Sequence, residues 1–141
     1  MSFQDKFRIC SFKEFGDERG NLVVVEQMQD IPFEIKRVFY MYGTDSTMNR
    51  GMHANKKSKF VLINVTGKSK VKVTDGKNVQ IIELTKPRMG LYLDTYLWKE
   101  MYDFSEDSVL LAIASEHYDA SEYIRDYDEY LEIMERRGNS E

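Results

Sequence analysis

Cysteine, histidine and proline are all scarce in this sequence: its 141 residues hold one cysteine, two histidines and two prolines. With Cys10 as the lone thiol no internal disulfide can form, and a single cysteine without further signal reads as structural. The shortage of histidine bears on metals. A metal-binding β-barrel presents two histidines as H-x-H on one strand, a carboxylate shortly after and a third histidine on a later strand. Here His53 is followed by Asn55, then by lysines, and the later strand offers Trp98 and Lys99. Zinc, iron or manganese needs three or four good ligands, so no metal or other cofactor is expected.

Long apolar runs are missing as well. Nothing approaches the ~18 apolar residues of a membrane span, and the opening "MSFQDKFRIC" places Asp5, Lys6 and Arg8 where a secretory signal needs an apolar core. The expected location is the cytoplasm, with no membrane partner. A wide basic face is also lacking: the formal net charge is −4, from 20 basic and 24 acidic residues. That balance argues against nonspecific nucleic-acid binding, while the basic run from Lys56 to Lys77 leaves room for a pocket that takes a phosphorylated small molecule.

What is present is a β-pattern. Apolar residues make up 42% of the chain, enough for one ordered domain over residues 1–141 with disorder confined to about 1–5 and 138–141. The runs "LVVVEQ", "IKRVFYMY", "KFVLINV", "KSKVKVTD", "NVQIIEL", "WKEMYDF" and "SVLLAIAS" follow one another at strand length. In "KSKVKVTD" Lys70 and Lys72 alternate with Val71 and Val73, a strand with one wet and one buried face, and Asp75-Gly76 supplies a hairpin turn. "SVLLAIAS" is apolar on both faces and predicts a central strand. Pro32 and Pro87 fall between strands. Helical spacing occurs only near the end, where Tyr127, Tyr130, Leu131 and Met134 share a face and Gly138 is a stop signal; Ser121 begins a shorter turn before it. Together these predict an all-β sandwich or barrel with a short C-terminal helix.

Within "RGMHANKK" the alternation puts Met52 and Ala54 on one face of a strand and His53 with Asn55 on the other. The residues alone leave His53 open between a structural group and an acid/base facing a barrel mouth. His117, in "SEHYD", has no comparable surroundings and reads as structural.

Four blocks, "RGNLVVVEQMQDIPFEIKRVFYMY", "RGMHANKK", "GLYLDTYLWKEMYDF" and "LLAIASEHYDASEYIRDYDEYL", resemble in order and spacing the dTDP-4-keto-6-deoxyglucose 3,4-ketoisomerases, from Arg19 to Leu131. The resemblance implies a metal-free cupin jelly roll, a homodimer with exchanged N-terminal strands, and a dTDP-linked 4-keto-6-deoxyhexose as substrate. The reaction moves a ketone from C-4 to C-3 through an enediol. A histidine titrating near neutrality suits both proton transfers. The family's histidine falls on His53, which becomes the expected base. Many relatives carry a second histidine where this chain has Asn55, whose amide can hold a hydroxyl or enediolate oxygen but cannot exchange a proton. Arg19 and Arg50 are expected to face the diphosphate, Tyr40 and Tyr92 to lie near the sugar or base, Trp98 to wall the pocket and Lys99 to tune it. One base in place of two favours a galacto-configured product. The alternative is a noncatalytic cupin that only binds a sugar nucleotide.

Overall fold

The computed structural model describes residues 2–140. Among these the chain forms strands β1 (Phe7–Ser11), β2 (Lys13–Asp17), β3 (Gly20–Val24), β4 (Arg37–Tyr42), β5 (Arg50–Asn55), β6 (Phe60–Thr66), β7 (Ser69–Thr74), β8 (Val79–Leu84), β9 (Met89–Leu93), β10 (Trp98–Tyr102), β11 (Val109–Ala114) and β12 (Tyr123–Ile124), followed by helix α1 (Tyr127–Ser140). One sheet has the order β1-β9-β6-β11-β4 and the other β12-β5-β10-β7-β8, all neighbours antiparallel.

The two sheets face each other across a core that takes Phe60, Leu62, Leu91, Leu93, Leu110 and Ala112 from the first and Val71, Val73, Leu84 and Met101 from the second. The first sheet is covered on its outer face too, because Val61, Ile63 and Ile113 pack against Phe12, Ile31 and Phe33. A strand buried on both faces has no wet side to alternate with, which is why "SVLLAIAS" is continuously apolar and lies inside the sheet, between β6 and β4. Strand β7 behaves as its alternation requires: Val71 and Val73 are buried, Lys70 and Lys72 half-buried. The turn after it is held by Asp75 Oδ1, which accepts from the backbone N–H of Lys77 at 3.0 Å and of Asn78 at 2.7 Å, with Gly76 at φ +97°.

Helix α1 covers the outer face of the second sheet. Tyr130 is fully buried, stacks near Trp98 with ring centres 5.5 Å apart, and donates its hydroxyl to the carbonyls of Thr74 and Tyr96. The helix runs past Gly138, the stop signal read from the sequence, and a 3-10 turn over Phe3–Lys6 occupies most of the expected N-terminal disorder; residues 1 and 141 lie outside the described residues. Among the described residues no helix is long and apolar enough to cross a membrane.

One element stands apart. The β2–β3 hairpin is a separate two-stranded sheet; β2 is exposed along its whole length, and Phe15 and Leu22 face solvent.

Candidate active site

Between the two sheets a cavity of about 250 Å³ is lined by His53, Lys99, Arg50, Arg125, Tyr123 and apolar residues of β4, β6 and β10. A wider hollow of about 610 Å³ lies between the N-terminal turn, the β7–β8 turn and α1, and three of its charged groups, Lys6, Asp75 and Arg137, already have partners. Asp75 braces the turn, and Arg137 stacks on Tyr96 at 3.6 Å. The smaller cavity is the one that gathers the sequence-derived candidates His53, Arg50 and Lys99.

His53 reaches it through a kink in β5. Gly51 and Met52 both have positive φ, +80° and +58°, and the pairing with β10 shifts register between Lys99 and Glu100. Such a bulge re-aims the following side chains. Gly51 is favoured by its positive φ, and a Cβ there would crowd the Lys99 carbonyl oxygen at 3.1 Å and push aside the movable end of Met101, whose Cε would stand 2.6 Å away. Beyond the kink the strand alternates as the sequence indicated, with Ala54 under α1 and His53 and Asn55 turned the other way.

The imidazole meets the edge of the Tyr123 ring at 4.8 Å between centres, and its Nδ1 is buried without a hydrogen-bond partner. Its pKa is pushed down to about 3, first by burial and then by the charges of Lys99 and Arg125, against an opposing hydrogen-bond contribution from the Asn55 side chain and with a smaller lowering from Arg37. An imidazole near neutrality is the expectation; burial first, and the neighbouring cations after it, instead favour the unprotonated form.

Asn55 does not face the cavity. It is fully buried, donates Nδ2 to Glu122 Oε1 at 2.8 Å, and accepts at Oδ1 from Lys99 Nζ at 3.0 Å. Glu122 also accepts from the backbone N–H groups of Ser58 and Lys57 and from the Ser58 hydroxyl. Burial alone would raise this carboxyl, but these donors outweigh it and hold the pKa below the usual range. The amide is therefore oriented from behind, with its oxygen fixed on Lys99.

Of the remaining sequence-derived candidates, Arg50 lines the cavity mouth and Lys99 its wall. Arg19 sits at the tip of the β2–β3 hairpin, its side chain 86% exposed and paired with Asp17. Tyr40 projects outward beside Tyr42, because Phe39 and Met41 are the inward residues of β4. Tyr92 packs with Phe33 and Arg8 on the outer face of the first sheet, and Trp98 is turned under α1 with Nε1 donating to Glu100. Within one chain the structure thus brings together His53, Arg50, Lys99 and, behind them, Asn55. It does not bring Arg19, Tyr40, Tyr92 or Trp98 to that cavity.

Sequence reasoning missed Arg37, Glu122, Tyr123 and Arg125. Arg37 lies over Phe39 and Tyr118, donates Nη2 to the Tyr123 hydroxyl at 3.2 Å and keeps a buried Nε unpartnered. Glu122 and Arg125 sit in an acidic segment that reads as solvated surface; the usable signal was the "EYIRD" stretch itself, which is too short in β-character to announce β12. Among the described residues no three of histidine, cysteine, aspartate and glutamate converge as metal ligands.

The family model described as "FdtA: WxcM-like, C-terminal" matches residues 5–135. The chain belongs to this family. It is 43% identical over 127 residues to the TDP-4-oxo-6-deoxy-alpha-D-glucose-3,4-oxoisomerase of Aneurinibacillus thermoaerophilus, covering 90% of this chain and 91% of that protein. Two solved structures from Campylobacter jejuni superpose with a TM-score of 0.85 each. WlaRB, a TDP-quinovose 3,4-ketoisomerase, is 43% identical over 89% of this chain and 97% of its own. WlaRA, a TDP-fucose-3,4-ketoisomerase, is 40% identical over 91% and 95%. The antiparallel sandwich is accordingly the cupin-type barrel that the sequence blocks implied.

Proposed function

We propose that the chain is an isomerase that converts dTDP-4-keto-6-deoxyglucose to a dTDP-linked 3-keto-6-deoxyhexose. The observation that carries this is the cavity itself: a buried imidazole lined by the guanidinium groups of Arg50 and Arg125 and the amine of Lys99, with Arg37 near enough to act on its charge and the carboxylate behind them already saturated by donors. Such a hollow suits a diphosphate and a developing enediolate. A bound diphosphate would offset the cationic field and raise the basicity of His53, bringing it toward the range that proton abstraction from carbon needs. A nucleotide-linked sugar as substrate also fits the cytoplasmic location expected from the sequence.

His53 removes the C-3 proton, and a single imidazole returns it at C-4 from the same face. In a gluco-configured ring the C-3 hydrogen lies below, so delivery at C-4 from below gives the galacto arrangement. The expected product is dTDP-3-keto-6-deoxygalactose, a precursor of 3-amino-3,6-dideoxygalactose. Proton NMR of the product, or of the amino sugar trapped from it by an aminotransferase, reads the coupling at C-4. A gluco coupling pattern would show that a second acid serves the upper face, and recovery of unchanged substrate would remove the assignment.

The active unit is a homodimer with exchanged N-terminal strands. A lone two-stranded hairpin with exposed Phe15 and Leu22 is marginal in water, and β4 is an open edge carrying exposed Val38, Tyr40 and Tyr42. Exchange would cover both surfaces and would give Arg19 a route to a diphosphate that it lacks within its own chain. Sedimentation is expected to give twice the chain mass, with Phe15→Asp shifting it toward monomer; a native chain that is monomeric at every concentration contradicts the dimer.

A further inference from the structure

Ketone migration needs two proton transfers at carbon and two at oxygen, and Asn55 can perform none of them. Lys99 is placed to do so. It pairs with His53 in the β5–β10 register, so both side chains enter the same cavity from adjacent strands. It is 2% exposed, forms no ion pair among the described residues, and spends one of its three donors on Asn55 Oδ1, with the Phe60 ring centre 4.7 Å from Nζ.

We propose that Lys99 carries the oxygen-bound proton of the reaction from O-3 to O-4 while His53 carries the carbon-bound proton from C-3 to C-4. This rests on the ketoisomerase reading above. In the first half His53 takes the C-3 proton, the C–H pair becomes the C3=C4 bond, the carbonyl pair moves onto O-4, and Lys99 gives a proton to O-4. In the second half the neutral amine takes the proton from O-3, the O–H pair closes the C-3 ketone, and the C3=C4 pair collects the imidazolium proton at C-4. Both side chains end as they began, with no other reactant.

The surroundings make the amine able to release its proton. The charged and titratable groups about it are His53, Arg50, Tyr123 and Arg125 around the cavity, Arg37 on the Tyr123 hydroxyl, and Glu122 behind Asn55. Burial lowers its pKa to about 7, opposed by the negative charge of Glu122. Glu122 cannot take its place: it does not line the cavity and its oxygens are occupied.

Lys99→Arg separates proton transfer from charge, since a guanidinium keeps the charge but does not deprotonate. The native protein, Lys99→Arg and Lys99→Met are compared with dTDP-4-keto-6-deoxyglucose in D2O, following C-3 deuterium exchange and 3-ketone formation, with thermal stabilisation by dTDP as the check of folding. For Lys99→Arg the expected result is C-3 exchange within about tenfold of native while isomerisation falls about 100-fold or more. The alkaline limb of the native kcat profile should also disappear. A Lys99→Arg variant with the native ratio of product to exchange, or a Lys99→Met variant that isomerises at the native rate, overturns this role alone. A native protein that neither exchanges nor isomerises overturns the ketoisomerase reading with it.

Discussion

Replacing His53 by asparagine is expected to lower kcat about 100- to 10,000-fold while dTDP still binds. In the proposed reaction the buried, unprotonated imidazole is the base, whereas the cations Arg50 and Arg125 that would hold the diphosphate come from other positions on the wall. Asparagine fills similar space and keeps a polar end, so the loss reads proton transfer rather than packing. Binding should even improve slightly at acidic pH in the native protein as the imidazole gains charge beside the anion. If His53→Asn lost binding and turnover together, the histidine would be holding the nucleotide; if it kept native turnover, another base would be acting.

Glu122→Ala is expected to cost about 3 to 5 kcal/mol of folding stability, the range for removing one partner from a buried charged network. The residue is 3% exposed and satisfies Asn55 Nδ2, two backbone N–H groups and the Ser58 hydroxyl. Alanine leaves those donors buried and unmet, and frees the amide that fixes Lys99. The pH dependence has a definite sign. A carboxyl whose folded pKa lies below its unfolded value of 4.5 contributes stability that is complete above that value and is lost as pH falls through the folded pKa. The variant should therefore lose stability at neutral pH and show a flatter acid limb. Urea unfolding measures both, and a change under about 1 kcal/mol would show that the network is replaceable by water.

Much of this was legible in the residues. Period-two alternation located β7 and its turn, the two-faced apolar run located β11, and the spacing of Tyr127, Tyr130, Leu131 and Met134 located the helix face. Strands β1, β2, β5, β9 and β12 were not among the runs read as strands, although the alternation around His53 marked β5: β2 alternates with nothing because both of its faces are exposed, and β9 is apolar on both because it lies inside the doubly covered sheet. At the site, alternation turned His53 and Asn55 to the same side, but it could not show that Asn55 is closed off by Glu122, a partner 67 residues away. Nor could it show which face of β10 looks inward. That parity decides that Lys99 enters the cavity and Trp98 lies under the helix, and it is fixed by the pairing with β5 and β7.

The most direct test of the account follows the sugar ring. Native protein and His53→Asn are incubated with dTDP-4-keto-6-deoxyglucose in D2O, and proton and carbon NMR report C-3 and C-4. The account predicts that the native protein removes the C-3 hydrogen signal and creates a ketone at C-3 and a hydrogen-bearing or deuterium-bearing carbon at C-4, and that His53→Asn does neither while remaining stabilised by dTDP. A native protein that binds dTDP and leaves the C-3 hydrogen in place through prolonged incubation would contradict it and make the chain a sugar-nucleotide binder.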